Sequence, residues 1–514
     1  MAYLKGFGLE NFRVFKERTW FDFAPITLLV GPNNSGKSSL IKALLLLKDN
    51  YKSKNRMELS TFNPKKNYRL LFDGGSHNLS SGKGVVADVN REIDFYFPLS
   101  MPQLTGFDYK ANISYKVEGY NTNLLTYHKV ITSDNNTIFE LKQDYVYMDV
   151  RLVRDLINIA YFYENITDEY HRYYVNTLNF IKELDWKYDY VRFDKNFVEV
   201  DEHSEPIFPY NDAKSIGVGS YKYGYDSKIS MGPNEVYFKI FYLILKKNVN
   251  NFSFNEATYN IIVGLIGLFQ IGILDDMFNE LKETQYLPTF KGDYRRSYNS
   301  NEEHFINKFI KDFQRLDKHS KDKLSIFVEE WQDKFNLGNI SPERNESLNQ
   351  NYITISSRVL ADLGFGLSQL ISIIFKLGIS KVQNKLGSIF LIEEPETNLH
   401  PKYQSLLADL FVELLQSGNS TSQNKHQIII ETHSEYLIRK LQYLTAKGKI
   451  RPENTVIYYF HDPSNLPAGE EQVKKITILK DGSLSDDFGP GFYDEAAHWE
   501  LELLKIRKNR SQQK

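Results

Sequence analysis

Apolar and polar positions fall into three regimes along the chain. Near the start, Leu9 to Phe15 and Thr19 to Phe23 alternate like half-buried strands, and Ile26 to Val30 is the unbroken apolar run of a fully buried one. Ser38 to Lys48 follows, Leu-rich and free of Gly and Pro, and predicts a helix. The middle mixes strand-like runs, Tyr145 to Val153 and Tyr190 to Val200, with helical spacing over Glu302 to Phe335. No heptad pattern persists there, so no long coiled-coil arm is expected. Strand and helix then alternate again: strand Ser388 to Ile392, helix His400 to Leu415, strand Gln427 to Glu431, a helix from Glu435, and a strand pair, Thr455 to Phe460 with Lys474 to Leu479.

This order predicts an α/β fold in four segments: residues 1–89, an insertion over 90–350, a return over 351–495, and a C-terminal helix or basic tail over 496–514. A length of 514 residues fits a core carrying a large insertion. The insertion is rich in Tyr, Phe, Asn and Lys, which favours a folded unit over disorder. The chain has 63 basic and 65 acidic residues, a near-balance that argues against wholesale electrostatic binding of nucleic acid. With no cysteine, disulfides, thiolate zinc sites and iron–sulfur clusters are excluded. The longest apolar stretches, near Ile261 to Ile273 and Val236 to Leu245, are too short to span a bilayer, and a cytoplasmic protein is expected.

The chemistry begins at GPNNSGKSS, comprising Gly31, Pro32, Asn33, Asn34, Ser35, Gly36, Lys37, Ser38 and Ser39. Its spacing is that of a phosphate-binding loop set between a buried strand and a helix. The glycines let backbone N–H groups converge on phosphate oxygens, and the helix adds its positive N-terminal end. Lys37 is placed to reach the β- and γ-phosphates of ATP, and the Ser38 hydroxyl to bind Mg²⁺. IFLIEEPE, ending at Glu396, puts two acids at the tip of an apolar strand. Glu393 would hold Mg²⁺ directly or through water, and Glu394 would orient or deprotonate the attacking water. His433, in Thr432-His433-Ser434 after a second apolar strand, suits a γ-phosphate sensor that also polarises that water. GFGLSQL, Gly364 to Leu370, reads equally as an anion site at a helix N-terminus or as a turn with a serine cap.

Taken in order, these motifs resemble the ABC-type ATPase head of the RecF/SMC/OLD class, over about the first tenth and last third of the chain. The resemblance implies a two-lobed head with a P-loop NTPase core, interrupted by the large mixed α/β, aromatic-rich insertion. It places Asn11 and Arg13, in LENFR, near the nucleotide, although both also fit an ordinary strand surface. Glu393 and Glu394 match the Walker B acid and catalytic glutamate, Thr397 to His400 the D-loop, and His433 the switch histidine. GFGLSQL is similar to a degenerate signature motif, with Gly364, Gly366 and Ser368 as its phosphate-facing residues. His77 falls where the Q-loop is expected, which leaves that residue unassigned.

In this class the signature of one head completes the ATP site of another, so the resemblance implies a homodimer or higher homo-oligomer closed on ATP and Mg²⁺. The PETNLH that follows the acids differs from the PTSxLD of transporter heads. No acidic triad of a nuclease is visible after His433, so none is expected in this chain. The segment KITILKDGSLSDDFGPGFYDEA resembles the end of stand-alone OLD-like ATPases of bacterial anti-phage systems, Septu and retron-linked Septu among them. That resemblance implies a separate HNH-type effector nuclease as partner, with DNA or a retron reverse transcriptase and its msDNA as further ones. The alternative within the class is a DNA-binding ATPase of repair or recombination.

Overall fold

The computed structural model describes residues 4–52, four positions between 72 and 79, residues 84–99, the strands within 109–149 and at 190–194, and most of 281–512. It divides into two compact units, one of residues 1–5, 22–41 and 283–514, the other of residues 6–21 and 42–282. The first part of the chain holds strands β1 (Gly6–Glu10), β2 (Thr19–Asp22) and β3 (Ile26–Val30), then helix α1 (Lys37–Lys52). Strands β4 (Ile93–Leu99), β5 (Tyr109–Val117), β6 (Asn123–Thr132), β7 (Thr137–Lys142), β8 (Tyr145–Asp149) and β9 (Tyr190–Asp194) follow. Next come β10 (Thr284–Leu287), β11 (Tyr298–Asn299), α2 (Phe305–Gln314), α3 (Lys318–Lys334), β12 (Ile340–Asn345), β13 (Gln350–Ile355) and β14 (Arg358–Val359). The last stretch contains α4 (Phe365–Val382), β15 (Ile389–Glu393), α5 (Pro401–Gln416), β16 (Gln427–Glu431), α6 (Glu435–Ala446), β17 (Thr455–Phe460), β18 (Val473–Thr477) and α7 (Asp494–Gln512).

The first unit is built on a six-stranded sheet of order β10-β15-β16-β3-β17-β18. Its first five strands are parallel neighbours, and only β18 runs against its partner. All five residues of β3 and all five of β16 are buried, which is why ITLLV and the centre of QIIIE read as largely apolar. Leu370, Ile373 and Leu377 of α4, Leu407 and Phe411 of α5, and Ile428 and Ile430 of β16 share one core. Each such side chain contributes roughly 1.5–3 kcal/mol by leaving water. Helix α4 is long and apolar enough to cross a membrane, but 78% of it is buried inside this unit. Residues 284–287, expected in the insertion, instead pair with the core: Tyr286 sits opposite Leu391. The first unit therefore resumes at residue 283, well before the expected 351. The helical run expected over Glu302 to Phe335 breaks in two, because the Asp317 carboxylate accepts the Ser320 N–H at 2.9 Å and starts a new helix.

At the lower edge of the sheet His426 is buried and accepts the Ser388 N–H at 3.3 Å, and burial lowers its pKa to about 4. An unfolded chain takes up this proton near the ordinary value of 6.5, whereas the folded chain resists until about 4. Stability is thus fully present above pH 6.5 and is lost as pH falls toward 4, by about 3 kcal/mol from this residue. Urea midpoints at pH 7 and pH 4.5 are expected to differ less in His426→Gln than in wild type; an equal difference would exclude His426 as the source.

The second unit, among the described residues, is an eight-stranded sheet of order β2-β1-β4-β5-β6-β7-β8-β9, antiparallel from β1 onward. Just past β1, Asn11 has φ 51°, a left-handed conformation that asparagine tolerates. Its fully buried amide donates to the carbonyls of Asp88, Arg91 and Glu92 at 2.9–3.1 Å and accepts the Asp88 N–H at 2.7 Å. Resemblance places Asn11 beside the nucleotide; here its amide bonds four backbone groups of residues 88–92. Arg13 is exposed, and its backbone N–H donates to the Val85 carbonyl at 2.6 Å. Asn11→Ala removes a buried amide that bonds three backbone carbonyls and one N–H of residues 88–92 and is expected to cost about 1–3 kcal/mol in chemical denaturation.

Candidate nucleotide site

Strand β3 ends in the glycine loop, and α1 begins inside it, at Lys37. The loop curls because Gly31, Asn34 and Gly36 all take positive φ, at 133°, 62° and 117°. A side chain on Gly31 would also collide with the carbonyl of Phe460 on β17, so that glycine is required twice. Helix α1 is launched by the Ser39 and Leu40 N–H groups, which donate to the Gly36 carbonyl at 3.0 and 3.2 Å. Pro32, Asn33 and Asn34 are exposed along the loop, while Ser35, Gly36, Lys37 and Ser39 are buried. The Ser35 hydroxyl has no partner, an orphan donor at the base of the loop.

Lys37 is 3% exposed and folds its ammonium back onto the loop, donating to the carbonyls of Gly31 at 3.0 Å and Pro32 at 2.7 Å. Desolvation lowers its pKa, opposed by the charges of Glu431 and Glu394. Next to it the Ser38 hydroxyl donates to both carboxylate oxygens of Glu431, at 2.9 and 2.7 Å. Glu431 ends β16 in register with Glu393 of β15, and β16 lies against β3, so three parallel strands deliver two acids and the loop to one edge. This is where ligands bind in open parallel sheets.

Beyond β15, Glu394 has φ 44°, a strained conformation for a residue with a side chain. Its N–H donates to the Glu431 carbonyl at 2.7 Å, and its carboxylate accepts the Thr397 hydroxyl at 3.0 Å. Ligating atoms of Glu394, Glu431 and His433 lie within 4.8 Å of one another. His433 is exposed; partial desolvation and the Lys37 charge outweigh the opposing pull of Glu394 and lower its pKa, and this net lowering favours the neutral imidazole. Buried Glu396 accepts the His433 backbone N–H at 2.6 Å and so ties the turn after β15 to the turn after β16. Burial pushes the Glu396 carboxyl up to about 7 despite that bond. Ser434 caps α6, accepting the Leu437 N–H at 3.1 Å and donating to Gln404 at 2.6 Å.

The structure thus gathers Gly31 to Ser39, Glu394 and His433, and with them Glu393, at one sheet edge. Glu393 is hydrogen-bonded to Tyr286 of β10, whose phenol is pushed upward by burial and by the Glu393 charge. Two residues were missed in the sequence. Glu431 shows there only as the last letter of an apolar strand, and Tyr286 lies in the stretch read as insertion. GFGLSQL forms the beginning of α4: Gly364 is its exposed N-cap with φ 96°, whereas Gly366 and Ser368 are buried. A side chain on Gly366 would meet the carbonyl of Asn398, in the turn after β15. His77, from the second unit, is buried and lies 3.1 Å from the Asp49 carboxylate.

A curved loop with an orphan hydroxyl, a buried lysine on a helix N-terminus, and a hydroxyl among carboxylates fit a nucleotide phosphate with a divalent cation. Comparison with known proteins agrees: residues 3–438 match the family described as AAA ATPase domain, and the chain belongs to that family. It is similar to the chromosome partition protein Smc of Fusobacterium nucleatum subsp. nucleatum, 31% identical over 98 residues. That match covers 19% of this chain and spans 8% of the relative's length. Among solved structures it is similar to an SMC head domain from Thermotoga maritima, at 9% identity, TM-score 0.29, and coverage of 93% of this chain and 99% of that one. A second is an Smc head domain bound to the C-terminal domain of ScpA derived from Pyrococcus furiosus, at 12% identity, TM-score 0.33, and coverage of 98% and 99%.

Proposed function

We propose that this member of the AAA ATPase domain family binds ATP with Mg²⁺ in the Gly31–Ser39 loop, hydrolyses it, and uses the cycle to control a separate effector. The observation that carries the reading is the convergence of Lys37, Ser38, Glu394 and His433 at the ends of three adjacent parallel strands. Lys37 holds the β- and γ-phosphates, exchanging its two loop carbonyls for phosphate oxygens. Glu394 accepts the proton of the attacking water, and neutral His433 accepts a hydrogen bond from that water and senses the terminal phosphate. Ser38 and Glu393 would hold Mg²⁺, which would neutralise charge at the phosphates. Two copies close on ATP, with the Gly364 end of α4 in each facing the loop of the other.

The effector is a nuclease of an anti-phage complex in this reading, supported by the likeness of the closing segment to OLD-like defence ATPases. Phosphate release by the purified chain tests the first half. For the second, the chain is assayed for DNA cleavage and for ATP-dependent DNA binding over a salt series. Hydrolysis without cleavage or DNA binding is expected. Steep salt-dependent DNA binding would favour a repair or recombination ATPase instead.

A further inference from the structure

We infer that Glu431 is the positioning residue that fixes the Ser38 hydroxyl as a cation ligand; the inference rests on the ATP reading above. A serine hydroxyl has one hydrogen and two lone pairs, so at a phosphate site it has two uses. With its hydrogen free it donates to a phosphate oxygen; with its hydrogen committed it offers only lone pairs, which suit a cation. Here the hydrogen is shared between the two oxygens of Glu431, at 2.9 and 2.7 Å. The acceptor is rigid: Glu431 is 5% exposed, and its own carbonyl is held by the Glu394 N–H at 2.7 Å. Its strand is locked between β15 and β3. The same carboxylate stands 3.9 Å from the Lys37 ammonium and offsets part of the positive charge that would otherwise hold phosphate without a metal.

Both effects point one way. Glu431 makes the loop favour the metal complex of ATP over free ATP, acting through Ser38 and Lys37. Glu393, which with Ser38 would hold the cation, also meets Tyr286 from the neighbouring strand.

The test is binding of a fluorescent ATP analogue, with Mg²⁺ and with EDTA, to wild type, Glu431→Gln, Glu431→Asp and Ser38→Ala. Outer partners of metal ligands typically change metal affinity by about 10–100-fold, and the Mg²⁺ enhancement of binding is expected to fall by that factor in Glu431→Gln. Metal-free binding stays equal or tightens. Glu431→Asp keeps the charge, withdraws it from Ser38, and loses most of the enhancement. In the Ser38→Ala background, Glu431→Gln loses less than it does in wild type, since part of its effect acts through that hydroxyl. Unchanged Mg²⁺ enhancement in Glu431→Gln and Glu431→Asp, or fully additive losses with Ser38→Ala, would overturn the inference. Should Glu431→Gln not fold, the aspartate variant and the Ser38→Ala comparison still decide. A wild-type chain that binds no ATP under either condition removes the ATP reading itself, which is a distinct result.

Discussion

Replacing Lys37 with alanine is expected to weaken ATP binding about 10²–10⁴-fold, the size of losing charge-assisted hydrogen bonds of roughly 1.5–3 kcal/mol each to two phosphates. The structure adds a second reason. In its present position the Lys37 ammonium ties the Gly31 and Pro32 carbonyls together, so the lysine shapes the loop before nucleotide arrives. Alanine removes the ligand contact and the preorganisation at once. Lys37→Met retains the buried stem and isolates the charge, so the two variants should bind almost equally poorly if phosphate contact dominates. Equilibrium binding of labelled ATP, with thermal melting as a check on folding, measures both. Affinity within threefold of wild type in Lys37→Ala would remove the loop from nucleotide binding.

The strongest parts of this site were legible because they are local. A buried strand, a curled glycine loop and a helix occupy consecutive residues, and the loop has the geometry its glycines demand. Glu394 and His433 follow strands whose apolar runs are unmistakable, so their place at a sheet edge could be read in advance. Glu431 could not, because a terminal acid on an apolar strand acquires meaning only from the register that sets it opposite Glu393 and beside the Ser38 hydroxyl. Tyr286 was hidden for the same reason: its pairing with Leu391 joins segments far apart in sequence, which no periodicity reports. GFGLSQL, read as glycines and a serine at a helix N-terminus, forms the start of α4, with Gly364 as its exposed N-cap and Gly366 and Ser368 buried. Asn11 carries a contact that spacing does not report, since its amide meets four backbone groups of residues 88–92.

Glu394→Gln is expected to leave ATP binding near wild type while lowering turnover by ~10²–10⁴, the usual cost of removing one positioned general base. The local geometry explains why the variant should fold. The strained φ of 44° is held by the backbone bond from the Glu394 N–H to the Glu431 carbonyl, which glutamine keeps. The Thr397 hydroxyl, now bonded to the carboxylate, can donate to the glutamine carbonyl in the same place. What glutamine lacks is the negative charge and the capacity to take a proton from water. ATP that binds without being split should hold two copies together, so sedimentation in ATP and Mg²⁺ is expected to show more dimer for Glu394→Gln than for wild type, with Lys37→Ala remaining apart. Turnover equal to wild type would take the base role from Glu394. Slow turnover without a shift in assembly would leave hydrolysis at Glu394 intact and refute closure of two copies on ATP.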